Sequence, residues 1–213
     1  MKKFISFSTF LLFGNFVFSQ SDTIRLKNPS FEDTPKRGGE HSFGINGWFD
    51  CGKLNFPLES PPDIHPNGYW QNNMPASDNK TYLGMVVRDN QTFESVSVRL
   101  DSVLKAKEVY SLSIYLARSP NYFSKSRLTG EEVNYITPAV LRIWGGTGYC
   151  NERHLIYESP LIDHIEWRKY DILFKPLQDY KSITISAYYT KDTNVYYNGH
   201  VLLDGISDII RQK

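Results

Sequence analysis

The sequence predicts an all-β protein, a jelly-roll β-sandwich of two antiparallel sheets. Three observations predict it. Apolar side chains alternate with period two along five segments, turn residues recur between those segments, and no stretch carries a long apolar stripe at helical spacing.

The chain opens with a different signal. Lys2 and Lys3 precede an apolar run from Phe4 to Phe18, and Val17 and Ser19 place small side chains at cleavage positions, the pattern of a secretory signal peptide over residues 1–19. Ser6, Ser8, Thr9, Gly14 and Asn15 interrupt a run already shorter than the roughly 20 apolar residues that span a bilayer, so it does not read as an anchor. Cleavage before Gln20 leaves residues 20–213 as one β-sandwich domain, exported to the periplasm or the cell exterior. No cysteine stands at the cleavage point, which excludes lipid attachment there.

The strands follow in order. From Phe93 to Leu100, Val96, Val98 and Leu100 share a face; from Val109 to Ala117, Tyr110, Leu112, Ile114 and Leu116 do so. Leu141 and Ile143 pair in the same way between Ala139 and Trp144, as do Tyr170, Ile172 and Phe174 between Trp167 and Phe174. Ile183, Ile185 and Ala187 complete the set between Ser182 and Tyr188. These are half-buried strands of a two-layer sandwich. The breaks at 35–39, 57–66, 72–80, 119–130 and 145–148 are rich in turn residues, and short helical turns are expected only at Asp101–Ala106 or Ser124–Val133.

Charge and cysteine content narrow the function. Removing the leader leaves 22 basic against 23 acidic side chains, with no block of like charge, which argues against nucleic acid as a partner. The two cysteines, Cys51 and Cys150, are an even pair in an oxidising compartment; a disulfide and two buried thiols are both open on that ground. Catalytic signatures are absent: there is no G-x-S-x-G, no H-E-x-x-H and no Gly-rich phosphate loop. His41, His65, His154, His164 and His200 are scattered, Asp63-Ile64-His65 is too short to mark a metal site, and Glu131 and Glu132 read as solvated charge. The chain is therefore expected not to be an enzyme.

Two kinds of binding chemistry are left. Glu32 and Asp204 stand near the two ends of the domain, where strand topology can bring them together around a hard cation or leave them capping strand ends. Aromatic residues make up 15% of the chain, and Tyr69, Trp70, Tyr122 and Trp144 fall in or beside loops. An exposed ring offers a flat apolar face to the C–H side of a sugar, and Gln71, Asn72 and Asn73 follow Trp70 as hydroxyl partners; rings that staple loops to the sandwich are the alternative.

Asn28-Pro29-Ser30-Phe31-Glu32, Gly47-Trp48, Tyr110-x-Leu112-x-Ile114 with Ala117-Arg118, Trp167-x-x-Tyr170 and Leu203-Asp204-x-Ile206 together resemble the galactose-binding-like jelly rolls. Among these the chain is similar to carbohydrate-binding modules and to exported Bacteroidetes domains with no assigned ligand. The resemblance implies neighbouring first and last strands, a Cys51–Cys150 bridge, and one structural calcium ion held by Glu32 and Asp204, although Gly205 stands where a second acidic or amide residue often follows. The function it implies is a non-catalytic exported module for carbohydrate or another cell-surface ligand, through Tyr69, Trp70, Tyr122 and Trp144. The alternative is a structural or protein-interaction component of the cell envelope.

Overall fold

A computed structural model describes residues 22–38, 44–190 and 195–212. The expected signal peptide, residues 1–19, lies outside the described residues. The strands run in chain order as β1 (Thr23–Ile24), β2 (Phe49–Asp50), β3 (Asp63–His65), β4 (Tyr82–Val87), β5 (Ser95–Leu104), β6 (Val109–Ala117), β7 (Phe123–Lys125) and β8 (Glu132–Asn134). They continue as β9 (Thr137–Pro138), β10 (Val140–Gly146), β11 (His154–Glu158), β12 (Arg168–Phe174), β13 (Tyr180–Tyr188), β14 (Gly199–Asp204) and β15 (Ile209–Gln212).

Two antiparallel sheets form the sandwich. The larger runs β1-β15-β6-β14-β4-β3, with β12 on the far edge of β6 and β9 parallel to β14; the smaller runs β11-β10-β13-β5-β2. β7 and β8 form a separate hairpin. The first and last strands are neighbours, with Thr23 opposite Ile210 and Ile24 opposite Ile209.

The period-two reading sets the core. Tyr110, Leu112, Ile114 and Leu116 of β6 face Val96 and Val98 of β5, Leu141 and Ile143 of β10 and Ile183, Ile185 and Ala187 of β13, within one cluster that reaches from Ile24 to Ile209. β4 and β14 depart from alternation. Every residue of both is buried, because the outer face of the large sheet is covered as well. There Tyr82, Gly84, Val86, His200, Leu202 and Asp204 point away from the core, and a strand buried on two faces loses its polar alternation.

Neither segment expected to hold a helical turn forms a helix, although the tip of the second, 126–130, closes one turn through the Gly130 N–H donating to the Ser126 carbonyl. Residues 101–104 continue β5, and 124–133 fold back as the β7–β8 hairpin. The single described α-helix is α1 (Gly52–Asn55), one turn that starts directly after Cys51. Cys51 is bonded to Cys150, with Cα atoms 5.5 Å apart, so this turn is tied to the loop that leaves β10. Among the described residues, no helix is long and apolar enough to cross a membrane.

Candidate functional site

Strand β3 starts the site. Ile64 enters the core, so Asp63 and His65 on either side of it must face outward, onto the covered side of the large sheet. Over that face lie the 68–71 turn, the 56–61 segment and the β7–β8 hairpin, and between them opens a cleft of about 710 Å³. The volume is within the roughly 300–1,000 Å³ typical of small-molecule sites. Its floor is polar and its walls carry aromatic rings.

Asp63 anchors the floor. Its Oδ2 accepts the Tyr122 hydroxyl at 2.5 Å and the Trp70 Nε1–H at 2.9 Å, while Oδ1 accepts the Gly38 N–H at 2.7 Å. Burial outweighs these donors and pushes its pKa up to about 6. Next to it Arg88 donates to Glu94 Oε1 at 2.5 Å, and Glu94 also accepts from the Ser60 hydroxyl and the Val86 N–H. Burial raises Glu94 to about 7 even beside Arg88, while Glu94 keeps the guanidinium charged. Nη1 of Arg88 is buried without a hydrogen-bond partner.

Two histidines back this floor as neutral rings. His200 packs on Tyr122 with ring centroids 4.5 Å apart; its Nε2 accepts the Ser119 N–H and its Nδ1 donates to the Tyr135 carbonyl. His65 is buried between Tyr82 and Tyr122 with neither ring nitrogen paired. Burial holds His200 down to about 4 and His65 to about 3, so both are packing groups at neutral pH.

The four predicted aromatic residues separate. Trp70 lines the cleft, half-buried, with its indole tied to Asp63 and the Arg37 guanidinium 5.5 Å from its ring centre. Tyr122 also lines it, but at 1% exposure it is part of the floor and offers no open face. Tyr69 shares the turn with Trp70 without lining the cleft. Trp144 lies elsewhere, on the outer face of the small sheet, where its indole donates to the Ser186 hydroxyl. The structure thus brings Trp70 and Tyr122 together and leaves Tyr69 and Trp144 outside.

Phe56 and Phe123 take the places that the sequence reading missed. Phe56 lines the cleft at 54% exposure, and Phe123 is the partly exposed member of the Tyr122-Phe123 pair. Alternation along β7 carried a usable signal: adjacent rings face opposite ways, so only one of the two can be buried. Arg88 and Glu94 had no such signal, since their pairing depends on the fold.

Glu32 and Asp204 meet on one loop. Glu32 Oε1 accepts the Lys80 and Thr81 N–H groups, Asp204 Oδ2 accepts those of Ser77 and Asp78, and Asp204 Oδ1 accepts that of Gly205. Oxygens that face five N–H donors do not fit a cation, which needs acceptors directed at it. Among the described residues, no group of three or more His, Cys, Asp or Glu side chains stands together as a metal set. The pair fits the capping alternative, gripping the 77–81 segment from both sides.

The buried acids give the stability profile a sign. Burial raises Asp63 and Asp204 to about 6 and Glu152 to about 7, against about 4 in the unfolded chain. From pH 4 to 7 the native state holds more of these protons, so their contribution falls as pH rises. The depressed histidines act in the opposite sense up to about pH 7.5, because an imidazole of the unfolded chain is still half protonated near pH 6.5. Between pH 6.5 and 8 they offset part of the fall, but Glu94 and Glu152, both raised to about 7, outweigh them, and the melting temperature is expected to fall by a few degrees. Thermal melts across that range check this; a flat or rising profile contradicts it.

No family model matches the chain, and no curated protein matches it. In fold the chain is similar to an arabinose-bound α-L-arabinofuranosidase, with a TM-score of 0.54, 10% identity, and coverage of 89% of this chain and 26% of that one. The chain therefore spans about a quarter of that enzyme's length. Other similar structures are a xylan-binding domain from Paenibacillus barcinonensis (TM-score 0.43, 16% identity, 89% of this chain and 97% of that one) and an adhesin domain of Lys-gingipain from Porphyromonas gingivalis (0.44, 8%, 88% and 97%). Carbohydrate-binding modules recur among the similar structures.

Proposed function

We propose that the chain is an exported, non-catalytic carbohydrate-binding module whose ligand occupies the cleft above Asp63. The observation that carries this reading is the juxtaposition of Phe56, Trp70 and Phe123 with a floor of hydrogen-bonding groups. Rings match the C–H faces of a sugar and the polar groups match its hydroxyls. The absence of catalysis is supported by the state of the two buried acids. Asp63 already accepts three hydrogen bonds, and Glu94 is held by Arg88, Ser60 and Val86, partners that support a structural role for both acids.

Calorimetric titration with polysaccharides, after a broad glycan-array screen, tests the reading. Phe56→Ala removes an exposed ring and is expected to weaken binding about tenfold, the value of roughly 1.4 kcal/mol of ring contact, without changing the melt. Binding is expected to be equal in calcium and in chelator. If no glycan binds, or Phe56→Ala leaves affinity intact, the cleft is not a sugar site.

A second reading, a protein-interaction component of the envelope, draws on Leu54 and Leu58, exposed at 61% and 69% on the segment that carries Phe56. Apolar side chains on one segment suit a protein partner. Capture of an envelope protein that is lost with Leu54→Ser and Leu58→Ser, with no glycan bound, favours it.

A further inference from the structure

We infer that the glycan held in this cleft is anionic, bearing carboxylate or sulfate groups; the inference rests on the carbohydrate reading of the same site. Exported to solvent, the cleft rim is cationic although the chain as a whole is close to neutral. Arg37 reaches it from the stretch between β1 and β2 that bridges to β3 at Lys36 and Ile64, Lys125 from the end of β7, and Arg127 from the turn that follows. Among the described residues, none of the three takes part in an ion pair.

One exposed acid, Glu132, opposes them on the rim. The two acids of the floor are buried and occupied, Glu94 by Arg88 and Asp63 by the hydroxyl, indole and amide donors described above. Asp89, behind the hairpin turn, is taken up by the Ser126 hydroxyl and the Arg127 N–H. At the rim three cations stand against the single carboxylate of Glu132, while the charges of Asp63 on the floor and Asp89 behind the turn lie further from the mouth; the cationic field is therefore local to the rim, where an arriving ligand meets it first.

Arginine geometry adds direction. A guanidinium presents a planar fork that matches a carboxylate or sulfate, and Arg37 lies over the Trp70 ring, an arrangement that limits its freedom before a ligand arrives. Deeper in, the unpartnered Nη1 of Arg88 is a buried donor among the residues that line the cleft. A neutral glycan would leave these donors facing only hydroxyls.

The test titrates the full chain with polygalacturonate, a sulfated galactan, neutral xylan, laminarin and a single-stranded oligothymidylate. Binding to the carboxylated or the sulfated polymer, weakened by salt, is expected, and the two arms show which group is read. Lys125→Gln with Arg127→Gln is expected to lower that affinity about tenfold, with an unchanged melt because both side chains are exposed. Neutral glycans bound as tightly, or acidic glycan binding that ignores both salt and the double variant, overturns the charge inference while the cleft reading stands. Oligothymidylate bound as tightly as the glycans overturns it too, as an unselective polyanion effect. No glycan bound at all overturns both.

Discussion

Glu94→Gln is expected to cost about 3–5 kcal/mol of unfolding free energy, the usual result of leaving a buried charge without its partner. Glu94 is 2% exposed and Arg88 is 8% exposed, so no water replaces the lost carboxylate. Glutamine keeps the volume of the side chain but removes the charge that compensates the guanidinium, and it turns one acceptor into a donor facing Arg88. The Ser60 hydroxyl and the Val86 N–H, both held by Glu94, then compete for the single remaining oxygen. Urea unfolding of the variant measures the loss. A pair of apolar replacements, Arg88→Met with Glu94→Leu, is expected to recover most of it, because it removes both charges from the interior. If Glu94→Gln costs under about 1 kcal/mol, the pair is more hydrated than its burial indicates.

Replacing Cys51 and Cys150 together with serine is expected to cost about 4–5 kcal/mol, the entropy of a loop closed over 99 residues. The bridge ties the α1 turn to the end of β10, and that turn begins the segment carrying Leu54, Phe56 and Leu58. Loss of the bridge therefore has a local consequence beside the global one. The double variant is expected to lose affinity in the cleft as well as stability, because Phe56 is no longer anchored through the segment that holds it. Urea unfolding with and without reductant measures the first effect, and titration at low denaturant measures the second. Equal midpoints for the native chain in oxidising and reducing conditions would contradict the stabilising role.

How much of this was legible beforehand depended on the range of each interaction. Tyr110, Leu112, Ile114 and Leu116 declare their inward face within nine residues, since the pleat alternates regardless of what lies opposite. Tyr122 shows where that reading stops. It occurs in a polar loop and reads as exposed, yet the large sheet carries a covered outer face, and the ring is needed there against His200 and Asp63. Glu32 and Asp204 both hold the 77–81 segment, and their partners, the backbone amides of that segment, were not visible in any local sequence pattern.

By itself the sequence determined the sandwich and the strands that alternate, because both follow from short-range periodicity, while the closeness of the two ends came from the resemblance to the jelly-roll family. Only the tertiary structure decided where the cleft lies and which rings and charges meet in it. Arg88 and Glu94 are six residues apart, but Asp63 and Tyr122 are 59 apart and Phe56 and Phe123 come from unrelated loops. Contacts of that separation are fixed by how the loops pack on the outer face of the sheet, and that packing is a property of the whole chain.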